Sequence, residues 1–356
     1  MGASKGNTSL TPVEGSRVIV VGGAGFVGSN LVSLLLARGA REVLVIDNLL
    51  SAERENIPSS PQVSFWEGSI ADDSILKRIE DRHEFIFHLA TFHGNQNSIH
   101  DPLADHENNT LTTLKLYEYV SRFSKLKKLV YSSAGCGVAA KTFDSPQATA
   151  EDAPINLEQD SPYSISKVIG EFYSSYYFRR TALPVVRARF QNVYGPGEIL
   201  GAGKWRGTAA TVWRNVVPTF IYKSLQHEAL PVENGGVMTR DFIYAEDICR
   251  GLLACAERGT SGDVYNLASG REISILDLAN MINSITGNPT PIDFKPKRDW
   301  DNSGRRYGST TKAEMELGFH AETRFEDGLE RTISWTKSKL EFIRSIMKKH
   351  DQKMML

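Results

Sequence analysis

Tyr163 and Lys167 stand four residues apart in SPYSISKVIGEFY, a spacing that puts both side chains on one face if the stretch is helical. A tyrosine exchanges protons near neutral pH only if its phenolate is favoured over the ordinary pKa of about 10, and a neighbouring ammonium does this electrostatically. Such a pair can take the proton of a small carbinol as hydride leaves it, which predicts oxidoreductase-type chemistry. YxxxK alone also occurs on ordinary surface helices. Its weight here comes from the hydride acceptor that the N-terminal residues predict.

That acceptor is read from GGAGFVG, with glycines at 22, 25 and 28, following the strand-like run RVIVV and opening an apolar, helix-spaced segment. Gly22 permits a tight turn, Gly25 lets the backbone approach a diphosphate, and Gly28 allows close helix packing, while Phe26 and Val27 supply N–H groups at the helix start. Asp47 ends the next strand, EVLVID, where a carboxylate accepts both ribose hydroxyls and repels a 2′-phosphate. Asn48 adjoins it. The expected cofactor is therefore NAD rather than NADP. A glycine-rich turn with an Asp capping the next loop is the plainer reading, and it explains none of the downstream pattern.

These groups need a frame, and the chain supplies one. VSFWEG at 63–68, FIFHLA at 85–90, KLVYSS at 128–133 and PVVRARF at 184–190 are short, mostly continuous apolar runs separated by helix-compatible stretches. They predict a doubly wound, parallel Rossmann-type α/β sheet covered on both faces. After Phe190 the composition turns rich in Gly, Asn, Trp and Pro through GPGEILGAGKWRGTAAT, a long loop of a kind that usually binds something. The domain reading is a loose tail at 1–15, a cofactor domain at 16–190 with returning segments at about 240–270, a smaller C-terminal α/β substrate domain at 191–239 and 271–348, and a loose end at 349–356. Helices are expected at about 245–257 and 274–286, with one last amphipathic helix from about Phe325 to Ile346.

Bulk properties exclude several classes. The 41 Lys and Arg nearly balance the 42 Asp and Glu, which disfavours nucleic-acid binding. Cys136, Cys249 and Cys255 have no close metal-ligand spacing, so no metal is expected, and an odd number of cysteines argues against a disulfide framework. The first fifteen residues carry no targeting pattern, and the apolar run ending at Gly22 is far shorter than the roughly 20 residues a membrane span needs. A cytoplasmic protein without a membrane partner is the expectation.

GGAGFVG, FHLA at 87–90, NNT at 108–110, YSISK, FQNVYGP at 190–196, RDFIYAED at 240–247, YNLASG at 265–270 and GRRYG at 304–308 together resemble the extended short-chain dehydrogenase/reductase family, specifically its nucleotide-sugar epimerases and dehydratases, over nearly the whole chain. The resemblance implies that Leu89, Ala90 and Asn109 line the cofactor and that Ser69 and Ile70 lie near adenine, with Ser69 replacing the usual Asp. It further implies that Asn192, Arg240 and one or both of Arg305 and Arg306 hold the diphosphate of a nucleotide-diphosphate sugar, a role suited to the arginine fork. A homodimer is implied as well.

One position departs from the family. The Ser or Thr that normally hydrogen-bonds the reacting hydroxyl is Ala134 in an ungapped reading of VYSSAGCG; Ser133 reaches the site only if a bulge corrects its facing. Cys136 falls where GDP-mannose 3,5-epimerases carry a cysteine that works with a lysine of the later loop, for which Lys204 is the counterpart. His93 and Glu198 also fall in stretches expected near the substrate. The expected reaction is 4-epimerisation through a transient 4-keto sugar. The rivals are 3,5- or 5-epimerisation or dehydration using Cys136 and Lys204, and a protein that binds NAD and nucleotide sugar without turnover. Gly135-Cys136 in place of an Asp-Glu pair argues against ordinary 4,6-dehydration.

Overall fold

The β-branched and aromatic runs become neighbouring strands in the computed structural model of the chain, which describes residues 12–138, 142–302 and 304–355. They are β1 (Arg17–Val21), β2 (Glu42–Asp47), β3 (Val63–Glu67), β4 (Phe85–His88), β5 (Lys128–Ala134) and β6 (Val185–Phe190). All pairs are parallel, in the order 3-2-1-4-5-6, and Val264–Leu267 adds a seventh strand beside β6. The order reverses between β1 and β4, so a crevice opens at their carboxyl ends, where ligands of open parallel sheets bind.

Each face of the sheet buries its own core. Val18, Val20, Val43 and Val45 pack with Leu31, Leu35, Ile248 and Leu252 of the helices Phe26–Ala37 and Ala245–Arg258. Ile19, Leu44, Ile86, Leu129 and Tyr131 pack with Leu116, Tyr117 and Tyr177 on the other side. Thus the segment after 240 returns to the sheet. So does 311–319, placed with the substrate domain from its sequence: Ala313, Leu317 and Phe319 close the first core.

A smaller α/β body forms around Tyr194, Phe220, Phe242, Leu278, Phe325 and Leu329. Its short strands pair as Asn192–Tyr194 with Phe242–Tyr244, Thr239–Arg240 with Ile273–Ser274, and Pro231–Glu233 with Asp293–Lys295.

Three local expectations are corrected. Of the N-terminal tail, residues 1–11 lie outside the described residues, but Val13 is fully buried in the first core. The single terminal helix is two, Phe325–Ser338 and Leu340–Lys348, because Phe325, Leu329 and Ile333 pack in the small body while Ile343 and Ile346 pack on Ile199 and Leu200. The end beyond 348 is held: His350 is buried with Nε2 2.8 Å from the Gly201 carbonyl, and Lys349 pairs with Glu53 at 2.6 Å.

Candidate active site

Ser161 caps the helix Pro162–Thr181, its side chain accepting from the Ser164 N–H, and Pro162 takes the first-turn position where no N–H is needed. Tyr163 and Lys167 therefore sit on the first two turns and face the crevice. The crevice is one cavity of about 730 Å³ that runs from the glycine loop past both residues to Arg240 and Arg306.

At the cofactor end, Gly22, Gly25, Phe26, Val27, Gly28, Asp47, Asn48, Ser69, Ile70, Leu89 and Ala90 all line the wall. Gly22 has φ +84°, and a Cβ there would lie 2.5 Å from the Ala90 nitrogen. A Cβ on Gly28 would lie 2.1 Å from the Gly22 carbonyl oxygen. These contacts leave no room for side chains and keep a cradle of free N–H groups at the helix start, which fits a dinucleotide diphosphate. Asp47 accepts from the Ala24 N–H at 3.0 Å and the Leu49 N–H at 2.9 Å, and burial nonetheless pushes its carboxyl above the usual range. Gly28→Ala is expected to abolish retention of NAD through purification, read as the loss of cofactor released on denaturation; a variant that keeps its cofactor would refute this packing argument.

Asn109 differs from expectation. It is buried and lies outside the cavity wall: its oxygen accepts from the Phe92 N–H at 2.7 Å and the Thr91 hydroxyl at 3.0 Å, and its amide donates to Asp105 and Ser166. It positions the Thr91–Phe92 turn against the Tyr163 helix. Its neighbour Asn108 lines the cavity instead, because the backbone at His106–Leu111 is wound as a π-helical turn that rotates successive side chains.

At the reacting end, the Lys167 ammonium donates to the Ser132 carbonyl at 2.9 Å and lies 5.8 Å from the centre of the Tyr163 ring. Burial pushes Lys167 down to about 8, with Asp105 and Cys136 opposing. Burial, then Cys136 and Asp105, push the Tyr163 phenol up, against the Thr91 hydroxyl. In the protein alone Tyr163 thus keeps its proton. The lowering that the spacing predicts from Lys167 does not appear, and loss of water dominates. His93 packs 6.2 Å from Tyr163 and is driven down to about 3 by burial, then by Arg214, Arg206 and Lys167, so it is a neutral imidazole. Cys136 lies in the wall, its Sγ 3.8 Å from the Ser164 hydroxyl.

Of two further catalytic candidates, one lies in the cavity wall and the other does not. Ser133 keeps strict register: β5 pairs with β6 without interruption through Ser133 opposite Arg189 and Ala134 opposite Phe190, so no bulge turns it. It lines the cavity, and its hydroxyl donates to Glu171 at 2.5 Å. Lys204 is exposed and outside the cavity, its backbone N–H donating to the Leu50 carbonyl, and it does not meet Cys136.

At the far end Asn192, Arg240 and Arg306 line the cavity, and Arg305 does not. Arg240 donates to the carbonyls of Thr239 at 2.7 Å and Gly304 at 3.2 Å, and burial followed by the charge of Arg306 pushes it down to about 10. Arg305 turns outward and pairs with Glu272, Nε to Oε2 at 3.3 Å. Residues the sequence did not single out include Thr91, Arg214, Asn215 and Trp300, while Asn108 was marked only as part of NNT. Among them only Asn215 carried a signal, as a helix-capping residue type before VVPTFI.

A model of the NAD dependent epimerase/dehydratase family matches residues 18–268. The chain belongs to that family. Within it, the chain is similar to the Bordetella bronchiseptica enzyme WbmF, solved in complex with NAD+ and UDP, at 60% identity over 96% of this chain and 98% of that one, with a TM-score of 0.87. It is 30% identical to a UDP-glucose 4-epimerase of Mycolicibacterium smegmatis over 91% of this chain and 99% of the relative. It is 28% identical to UDP-glucuronic acid decarboxylase 1 of Arabidopsis thaliana over 94% of this chain and 73% of the relative. Family members thus share the frame and differ in reaction. No helix among the described residues is long and apolar enough to cross a membrane, and no group of side chains there could hold a metal.

Proposed function

We propose that the chain is an NAD-dependent nucleotide-sugar 4-epimerase acting on a UDP-sugar through a transient 4-keto hexose. The observation that carries this reading is the single cavity with Asp47 and the glycine loop at one end, Tyr163 and Lys167 in the middle, and Arg240 and Arg306 at the other. Kinship with a UDP-glucose 4-epimerase and with a protein solved with UDP supports both the reaction and the base.

Bound NAD supplies the acceptor and donor of hydride. In the loaded site the Lys167 ammonium, fixed by the Ser132 carbonyl, holds Tyr163 as a phenolate, which becomes a phenol as it takes the proton of the C4 hydroxyl. Arg240 and Arg306 keep the diphosphate while the 4-keto hexose turns over about its phosphate linkage. Tyr163 then returns the proton to the oxygen of the inverted carbon, and there is no net redox change.

A second reading, acid-base chemistry at a neighbouring carbon, is favoured by Cys136 in the wall and by Glu198. The latter is 4% exposed, its Oε2 has no hydrogen-bond partner, and burial pushes it up to about 7. NMR of a nucleotide-sugar panel in deuterated water separates the two. Epimerisation at C4 is expected to leave carbon-bound hydrogens unexchanged. Deuterium at C3 or C5, lost in Cys136→Ala with C4 oxidation intact, would overturn the 4-epimerase reading. Absence of turnover and of NADH formation across the panel would favour a binding protein.

The Tyr163 helix also presents Ile165, Phe172 and Tyr176 to solvent at 46%, 57% and 53% exposure, and this unpartnered apolar face supports a homodimer. A single-chain mass in sedimentation would exclude it. Free cysteines and balanced charge support a cytoplasmic setting.

A further inference from the structure

GGAGFVG contains no lysine or arginine, so the glycine loop meets a cofactor diphosphate with backbone N–H groups alone. His93, on the turn after β4, adds no charge, since burial keeps it neutral. A doubly anionic group in a crevice of low polarity calls for a cation on its open side.

Arg214 is a cavity-lining cation with no role yet assigned. It sits just before the helix Val216–Leu225 of the small body and reaches back to the sheet. Its Nη2 donates to the Ser51 carbonyl at 2.7 Å and its Nη1 to the Ile199 carbonyl at 3.3 Å. Both partners are neutral, and Arg214 makes no ion pair among the described residues. The nearest acids are Glu198 and Glu53. Glu53 is engaged by Lys349 and the Gly203 N–H, and burial pushes Glu198 up to about 7. Behind Arg214 stands Arg206, 5% exposed, with Nη1 on the Leu50 carbonyl and the Ser51 hydroxyl and its Nε unpartnered. Two guanidinium groups close together with no paired carboxylate are poised for an anion brought by a ligand.

Position identifies the anion. Ser51 follows Asp47 by four residues on the loop that leaves β2, the adenosine-ribose end of the cofactor site. On its other side Arg214 acts electrostatically on His93, whose ring packs against Tyr163 at the nicotinamide end. What lies between these ends of a dinucleotide is its diphosphate. The diphosphate of the sugar nucleotide has Arg240 and Arg306 of its own.

We infer that Arg214 grips the NAD diphosphate from the side opposite the glycine loop, with Arg206 positioning the Leu50–Ser51 turn beside it. The segment 198–214 then acts as a strap over the cofactor, tied down by the Gly203 N–H on Glu53 at 2.8 Å and the Lys204 N–H on Leu50 at 3.0 Å. Cofactor retention is thereby linked to the substrate-binding body.

The test compares the full-length protein with Arg214→Met, Arg214→Gln and Arg214→Lys, reading Kd for NAD+ after removal of endogenous cofactor, Kd for UDP, and the melting midpoint in UDP. Arg214→Met is expected to raise Kd for NAD+ at least about tenfold, the loss typical of hydrogen bonds to a charged group, and to make that Kd less salt-dependent. Arg214→Lys, which restores the point charge without the fork, is expected to stay within about threefold of wild type. Kd for UDP should not change in either. Arg214→Gln can still bond the Ser51 carbonyl and carries the same expectation as Arg214→Met should that variant not fold. A folded neutral variant that binds NAD+ like wild type, or one that loses UDP affinity instead, overturns the inference.

Discussion

Tyr163→Phe is expected to lower kcat for C4 inversion by about 10²–10⁴-fold, the range for removing a positioned acid-base group, while NAD stays bound. The Tyr163 oxygen takes the C4 proton as a phenolate and returns it as a phenol, and the ring, which packs against His93 at 6.2 Å, is kept by phenylalanine. Retained cofactor with unchanged UDP affinity separates this loss from a folding defect. The wild type should also lose activity as pH rises through about 8, where Lys167, pushed down by burial, gives up its proton. The sign follows from the charge: a depressed lysine is an ammonium below that pH and neutral above it, and only the ammonium stabilises a phenolate. A Tyr163→Phe enzyme within tenfold of wild type would remove the central claim of the mechanism.

Arg189→Met is expected to destabilise the fold by about 3–5 kcal/mol, the cost of leaving one partner of a buried ion pair alone. Arg189 and Glu171 are each 3% exposed and are joined in a bidentate pair, Nε to Oε1 and Nη2 to Oε2, both at 2.8 Å. Arg189 Nη1 also donates to the Glu151 carbonyl at 2.8 Å, and Ser133 donates to Glu171. Burial by itself would raise the Glu171 carboxyl, but the hydrogen bonds and charge of Arg189, then Ser133 and Arg187, hold it below the ordinary range. A lowered carboxyl contributes stability that is present above its unfolded pKa of about 4.3 and lost as pH falls through its lower folded value. The variant should therefore unfold at a higher pH on acidification, as well as at lower denaturant. A loss under about 1 kcal/mol by chemical denaturation would mean that Glu171 finds other partners.

That pair explains why the hydroxyls of VYSSAG are poor guides to catalysis. Ser132 donates to the His88 carbonyl at 3.0 Å and Ser133 to Glu171, so both hydroxyls brace β5 even though Ser132, Ser133 and Ala134 all line the cavity. The residue types invited a catalytic reading. Their hydrogen-bond partners, which no residue type reports, engage both hydroxyls in the frame.

Short-range features were legible because their physics is contained in neighbouring residues. A glycine loop between an apolar strand and a helix, an Asp at the end of the next strand, and Tyr and Lys one helical turn apart each specify a local geometry wherever the chain goes. The parallel order of the sheet and the return of the chain after 240 could likewise be read from strand composition and spacing. What the tertiary structure alone decided is which of several neighbouring polar residues face the crevice. Arg306 enters and Arg305 pairs with Glu272; Asn108 enters and Asn109 braces the Thr91–Phe92 turn; Arg214 enters and Lys204 stays in water. Those residues lie in loops and a π-helical turn with no repeating period, so their facing is set by partners outside their own segment, Thr91 and Phe92 for Asn109, Glu272 for Arg305 and Ser51 for Arg214, and these contacts form only as the chain folds.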